Sequence, residues 1–415
     1  MTPTRRTVTI AAVIAVAALA VHGALALGAF GALLVALVVD ATFARRSIRL
    51  HRSVPDLAII GQPTRLVVST AAVDGRAVLV RQPRTPDLRV DPGEARGELV
   101  ASLTALRRGR HQLPAVAARQ RGPLGLAAWD FRGDSTATLT VYPDVPNARR
   151  IASLVRTGRF RDDGIIVRGP LGVGTEFESI RDYLPDDDIR QINWAATNRV
   201  GRPMSNTYRV EADRQVVCLL DCGRLMRAPV GERTRLDAAV DAVTALAYVA
   251  DELGDRCGVI AFDGSLRRNL KTRRRGADAV VGAIYDLEPS AEESDYDLAF
   301  RSVRNLKRAL VIVFTDLLDP AAASSLVEAV PLLSRRHAVV VASSTDPDVT
   351  AALVDAPRDA TDAYRAAAAL DLMTARARVI ASLGGVNARV VEAPPDQLGE
   401  ACVGTYLRLK DSARL

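Results

Sequence analysis

Lysine is nearly missing from this 415-residue chain: Lys271, Lys307 and Lys410 stand against 52 arginines. Alanine is abundant as well, so the bias tracks genome composition and does not by itself indicate phosphate recognition by guanidinium forks. Cysteine is scarce: Cys218, Cys222, Cys257 and Cys402 are scattered through the C-terminal half, with no histidine at metal-ligand spacing. That excludes a disulfide scaffold and a zinc module. The run Gly169-Pro170-Leu171-Gly172-Val173-Gly174 lacks the Lys-Ser/Thr of a Walker loop, and Pro170 spoils a dinucleotide fingerprint, so it reads as a turn. No Gly-x-Ser-x-Gly elbow and no cysteine beside a sequence-local base occurs, and His22, His51, His111 and His337 form no pair at ligand spacing. A triad assembled from distant positions stays open.

What the chain does have is apolar content, 48%, sufficient for several cores. The formal charge of +7 divides into +5 over residues 1–52, +5 over 53–150 and −3 over 151–415, a distribution unlike a nucleic-acid groove. Val8 to Val39 is a 32-residue stretch without a formal charge. One helix of that length would run about 48 Å, too long for a hydrocarbon core of about 30 Å. Two short spans, Val8–Val21 and Ala24–Val39, turning at His22–Gly23, put Arg5, Arg6, Arg45, Arg46 and Arg49 on one face. A transmembrane helical hairpin over 1–44 in the plasma membrane, with both ends and the soluble domains cytoplasmic, follows from the positive-inside tendency. A cleaved signal peptide is the alternative, but the apolar run overshoots a typical signal core.

Residues 45–150 break into short alternating runs, Leu57–Ile60, Arg65–Ser69, Ala77–Val80, Gly97–Leu103 and Thr136–Val141, between Pro, Gly and Asp turns. They predict a β-rich, sandwich-like domain. Its Arg107–Leu113 tract is a basic patch, either a solvated strand face or a contact for anionic lipid, and Gly122-Pro123-Leu124-Gly125-Leu126 reads as a tight turn. From 215 to 415 apolar strands alternate with amphipathic helices: strand Val216–Leu220, helix Leu236–Leu253, strand Cys257–Phe262, helices near Ala277–Leu287 and Tyr296–Asn305, strand Ala309–Thr315, helix Ala321–Ser334, strand Ala338–Ser343, helix Ala360–Ser382, strand Ala388–Val391 and a closing helix from Gln397. This is an α/β domain with a mostly parallel sheet covered on both faces. Lys271–Arg275 reads as a solvated strand-to-helix turn.

Ligands of such sheets bind beyond the carboxyl ends of strands where strand order reverses. Asp221 and Asp316 close two strands, and if those strands are neighbours the two carboxylates face one crevice and form a candidate Mg²⁺ pair. The alternative is that each begins a turn or caps a helix. Between the β-rich and α/β parts, residues 151–214 hold the most unusual stretch. Arg181, Arg190 and Arg199 recur every nine residues among Glu176, Asp182, Asp186, Asp187 and Asp188, beside Tyr183 and Trp194. That pattern suits a semi-buried ion-pair lattice clamped by Trp194. It is a poor calcium loop, lacking the glycine and terminal glutamate.

The run Glu176-Phe177 … Ile180-Arg181-Asp182-Tyr183-Leu184-Pro185-Asp186-Asp187 … Arg190-Gln191-Ile192-Asn193-Trp194 … Arg199 resembles the signature of the bacterial DUF58 family. That resemblance implies a pair of N-terminal membrane helices, a β-rich segment, the signature itself, and a Rossmann-type domain similar to von Willebrand factor A. Asp186 stands where the family commonly has Gly. The adhesion-type metal motif of such domains, Asp-x-Ser-x-Ser, is replaced by Asp221-Cys222-Gly223-Arg224-Leu225, and its Thr falls near Tyr296, leaving Asp221 and Asp316 as a degenerate metal site. The resemblance also implies an adaptor or chaperone-like role in an envelope or complex-assembly pathway, beside a MoxR-type AAA+ ATPase and a transglutaminase-like membrane protein; the lack of a complete catalytic set in the sequence leads to the expectation that this role involves no catalysis and no cofactor. The expected docking edge is Asp221, Arg224, Asp263 and Asp316, an acidic rim for a basic loop. Two other classes stand against this expectation: a metal- or nucleotide-dependent hydrolase using the strand-end aspartates, and an exported adhesion-type receptor.

Overall fold

A computed structural model describes residues 2–19, 23–45, 48–71, 78–133, 136–162, 165–166, 176–184, 187, 189–209, 213–231, 233–318 and 320–411. The Gly169–Gly174 turn, His22, Asp186 and Asp188 lie outside the described residues. The chain divides into two compact units, Met1–Val141 and Tyr142–Leu415.

In the first unit the apolar stretch forms helices Arg5–Ala17 and Gly23–Ala44. Only Gly23–Ala44, at 22 residues, is long and apolar enough to cross a membrane among the described residues. At 1.5 Å per residue it reaches about 33 Å, whereas the 13 residues of Arg5–Ala17 reach about 20 Å. Of the two expected spans, one helix therefore has the length and composition to cross a membrane. The rest of the unit is antiparallel β-structure in sheets of five, four and three strands. Their inward residues, among them Leu66, Val68, Val80, Leu99, Leu103, Leu113 and Leu139, share one core. Strand Leu99–Ala105 alternates strictly between buried and outward positions, the period-two pattern of a half-buried strand.

The second unit is mixed α/β around a six-stranded sheet. Its strands, numbered here within that sheet, are β1 (Gln215–Asp221), β2 (Arg256–Phe262), β3 (Leu266–Arg273), β4 (Leu310–Phe314), β5 (Ala338–Ser344) and β6 (Arg389–Ala393). The spatial order is 3-2-1-4-5-6. All pairs are parallel except β2 with β3. Alternate residues of β1 feed two cores. Val216, Cys218 and Leu220 face helices Arg235–Glu252 and Leu398–Asp411, while Val217 and Leu219 face Tyr296–Val303, Pro320–Ser334 and Ala360–Gly385. Burial on both faces explains why these strands read as continuous apolar runs. Strand β3 departs from the expected turn at Lys271–Arg275: the chain stays extended through Arg273 and turns at Arg275, where φ is +47°. Its arginines and lysine make it a charged edge, which discourages pairing with another sheet.

Strand order reverses between β1 and β4, so the crevice beyond their carboxyl ends is the place where this fold assembles side chains from several loops. Residues 176–209 form a separate small element: strand Glu176–Asp182 pairs with Met204–Arg209, enclosing a helical turn Ile189–Gln191 and helix Trp194–Val200. Asn193 caps that helix by accepting from the Ala196 amide at 2.9 Å, and Gly201 ends it with φ +76°.

Candidate partner-docking site

Asp221 ends β1 and is 1% exposed. Its Oδ1 accepts from the Gly223 amide at 2.7 Å and from Ser294 Oγ at 2.5 Å. Its Oδ2 accepts from Thr315 Oγ1 at 2.6 Å and Tyr296 OH at 3.2 Å, and those two hydroxyls lie 2.8 Å apart. Gly223 is required here, because a Cβ on it would stand 2.1 Å from Ser294 Oγ. The glycine at 223 thus opens the space that Ser294 fills. Burial pushes the Asp221 carboxyl up, against the pull of its Ser294, Thr315, Gly223 and Tyr296 donors. The Tyr296 hydroxyl is pushed well up, first by burial and then by the Asp221 charge.

Asp316, just beyond β4 and 4% exposed, meets a cation supplied by the chain. Arg235, 3% exposed at the first position of its helix, donates from Nη1 to Asp316 Oδ1 at 2.8 Å, and the Leu317 amide donates to the same oxygen at 2.9 Å. Arg235 also reaches Ser344 O at 3.4 Å and Asp346 at 3.5 Å. Arg376, equally buried, donates to the same Ser344 carbonyl at 3.2 Å and pairs with Glu392. Burial pushes Asp316 up, opposed by Arg235 and Arg376. Asp263, 1% exposed, accepts from Arg267 at 2.7 Å and from the Ser265 amide at 2.9 Å. Burial alone would raise its carboxyl, but Arg267 and Ser265 outweigh it and hold the group below the usual range.

These residues do not fit a divalent cation. Four donors already engage both oxygens of Asp221, and a guanidinium occupies the position on Asp316 that a cation would need. Among the described residues no group of three or more His, Cys, Asp or Glu side chains is gathered for a metal. The structure gathers Ser294, Thr315 and Tyr296 on Asp221 and sets Arg235 against Asp316, whereas the expected pair was the two aspartates with a cation between them.

Of the four expected docking residues, only Arg224 presents its side chain to solvent; it pairs with Glu293 at 2.8 Å, the two side chains being 50% and 68% exposed. The exposed acids of this rim are Glu288, Glu292, Glu293, Asp295 and Asp297 in the loop before and at the start of helix Tyr296–Val303.

The 176–209 element handles its charges differently. Arg181 donates both Nη groups to Asp187 at 2.8 and 2.6 Å, the Leu184 amide donates to Asp187 at 2.9 Å, and Tyr183 OH donates to the Asp187 carbonyl at 3.1 Å. Asp182 pairs with Arg202 at 3.2 Å. Arg190 lies in the exposed helical turn, Arg199 in the exposed last turn of the short helix, and Glu176 sits opposite Arg209 in the hairpin. Trp194 does not clamp a lattice. It is 66% exposed, and Ile189, Leu184, Val200 and Ile180 are also exposed. Among the described residues, the seven-residue helix and two-stranded hairpin are covered by no second layer that would bury them.

A mixed α/β unit with a closed strand-end crevice and an outward-facing apolar hairpin, preceded by a membrane-length helix, is the class these features define. Residues 179–368 match the family described as protein of unknown function DUF58, so the resemblance read from the signature holds across that hairpin and most of the α/β unit. The chain is also 22% identical over 233 residues to uncharacterized protein Mb1516 of Mycobacterium bovis and to uncharacterized protein Rv1480 of Mycobacterium tuberculosis, covering 52% of this chain and 73% of each relative.

Proposed function

We propose that this protein is a membrane-anchored, non-enzymatic adaptor whose α/β unit is similar to von Willebrand factor A and whose partner docks on the 176–209 element. The observation that carries the reading is the outward placement of Trp194 at 66%, Ile189 at 70% and Leu184 at 55% exposure on a hairpin fixed by its own ion pairs. Large apolar side chains held rigidly in water are what interface hot spots are made of. The strand order 3-2-1-4-5-6 with one antiparallel edge and an aspartate ending the first strand supports the von Willebrand A-like assignment. Engagement of Asp221 and Asp316 by internal donors supports an adaptor over a hydrolase.

In this reading the partner is a MoxR-type AAA+ ATPase, as the DUF58 resemblance implies. Helices Arg5–Ala17 and Gly23–Ala44 form a hairpin in the plasma membrane, with both soluble units in the cytoplasm. The test is copurification of the detergent-extracted full chain with a MoxR-type ATPase, with and without nucleotide, paired with protease digestion of spheroplasts and inverted vesicles. Specific capture, and digestion only in inverted vesicles, is the expected result. Absence of capture in both nucleotide states, or digestion in intact spheroplasts, contradicts it.

A further inference from the structure

Where the first helix leaves the β-rich part of the Met1–Val141 unit, four arginines surround one cleft. Its volume is about 540 Å³, and Arg5, Arg6, Arg119 and Arg121 line it with Gly125. Among the described residues one carboxylate, Asp130, is ion-paired to these four: it takes Arg119 at 2.6 and 3.0 Å. Four guanidinium groups against Asp130 and, on the turn behind, Asp40 leave the cleft with a net positive charge.

The cleft is a built feature. The turn Gly122–Ala127 holds both apolar helices. Toward the first it offers carbonyls: Thr4 Oγ1 donates to Gly125 O at 2.6 Å, and the Thr4 amide and Thr7 Oγ1 donate to Leu126 O at 2.9 and 2.5 Å. Toward the second it offers amides: Leu124, Leu126 and Ala127 donate to the Asp40 carboxylate at 2.7, 2.7 and 2.8 Å. A Cβ on Gly122 would lie 2.3 Å from that carboxylate, so the turn needs its glycine for the approach of Asp40. Asp40 is 0% exposed, and three backbone donors satisfy its carboxyl oxygens. Residues Thr2 and Pro3 pair as a strand with Ala127 and Ala128, fixing the arginines that follow.

This arrangement sets the depth of the cleft. Beyond Thr9 and Asp40 toward the helix tips the described side chains are apolar and mostly outward, with Val13 and Val16 at 68% and Leu27 at 75% exposure. On the other side lie Arg45, stacked 5.2 Å over the Trp129 ring, and the polar strands. Tryptophan beside arginine at the end of an apolar helix is the arrangement found at the headgroup level of a bilayer. The arginine cleft opens at that level.

We propose that this cleft binds the phosphate of an anionic phospholipid, the guanidinium groups of Arg5, Arg6 and Arg121 gripping its oxygens while the acyl chains lie along the apolar helices. Planar guanidinium forks match phosphate oxygens, and apolar helix surface at the mouth of the cleft selects a lipid over a soluble phosphate. The inference rests on the membrane-anchored reading above.

The test uses the full chain in mild detergent, loaded with phosphatidylglycerol and phosphatidylcholine in equal amounts, with retained lipid measured by native mass spectrometry. Wild type is expected to retain the anionic lipid in about tenfold preference, and Arg5→Gln/Arg6→Gln/Arg121→Gln to lower that preference to near unity. Arg121→Gln alone, the milder change, lowers it partially; Arg107→Gln/Arg110→Gln, in the other basic tract, leaves it intact. Millimolar glycerol phosphate is expected to displace none of the bound lipid. Equal retention of both lipids by wild type, loss of preference on changing Arg107 and Arg110 instead, or full displacement by glycerol phosphate overturns the proposal. Flotation with phosphatidylcholine vesicles separates the two readings: a chain that floats without lipid preference refutes the cleft alone, and one that floats with no vesicle refutes the anchor and the cleft together.

Discussion

At the strand ends of the six-stranded sheet charge lies inside the protein: Asp221, Asp316, Arg235 and Arg376 are all 4% exposed or less, each held by partners from other elements. In the 176–209 hairpin the relation is inverted, since Arg181 and Asp187 pair at the surface while Trp194 and Ile189 face solvent. A buried ion pair is weak evidence for stability but strongly destabilising when one member is removed. An exposed apolar side chain adds little to folding, and its energy becomes available when a partner covers it. The crevice is thus suited to holding the fold, and the hairpin to meeting something else.

Breaking the crevice gives the largest expected effect. Arg235→Met or Asp316→Leu alone strands a buried charge and should cost about 3–5 kcal/mol, while the double variant recovers most of it. Denaturant titration of the detergent-solubilised chain reads this, and single changes costing under about 1 kcal/mol would mean the pair is hydrated. Next comes Asp221→Ala, which orphans the donors on Ser294, Thr315 and Tyr296 and should cost about 1–3 kcal/mol. Millimolar Mg²⁺ should leave the wild-type midpoint unmoved; a rise would show that the carboxylates open to a cation.

Acid should sharpen the contrast. The Arg181 bond, followed by the Leu184 amide, holds the Asp187 carboxyl below its ordinary value. Its contribution is present above the unfolded value and disappears as pH falls below about 4. Asp221 and Asp316 are shifted upward, so the folded state binds their protons more tightly than the unfolded chain does. Their contribution is present at low pH and lost as pH rises, and acid does not release them. In a Trp129→Phe variant, Trp194 emission should therefore change below about pH 4 before the far-ultraviolet helix signal falls. Simultaneous loss would mean the hairpin and sheet open as one. The smallest effect belongs to Trp194→Ala, whose unfolding free energy should stay within about 0.5 kcal/mol of wild type by the same titration.

Much of the α/β unit is legible in the sequence because parallel strands buried on both faces must be short apolar runs; Val216–Leu220, Cys257–Phe262 and Ala309–Thr315 fall within a residue or so of the observed strands. Strand β3 escapes such reading because edge position replaces apolar pattern with charge. Helix Val145–Arg156 carries readable signals in the Asp144 cap, Pro146 and the spacing of Ala148, Ile151, Ala152 and Val155, but it directly follows strand Ala137–Tyr142, whose alternating pattern obscures its start. Asp221 and Asp316 are visible as strand ends, whereas nothing local links Arg235 to a carboxylate 81 positions away. Ser294 is foreshadowed only by the glycine at 223 that makes room for it. Arginines and acids at regular spacing predict a half-buried lattice around Trp194; exposure of that ring depends on no second layer covering the hairpin among the described residues, which spacing does not encode.

Quantitative capture of a MoxR-type ATPase by the full-length chain in detergent, comparing Trp194→Ala with Asp221→Asn, addresses the division between holding and meeting most directly. The expected outcome is a loss of at least about tenfold in affinity for Trp194→Ala, with Asp221→Asn binding as wild type does. Undiminished binding by Trp194→Ala together with loss by a folded Asp221→Asn would place the docking surface in the crevice and contradict the account.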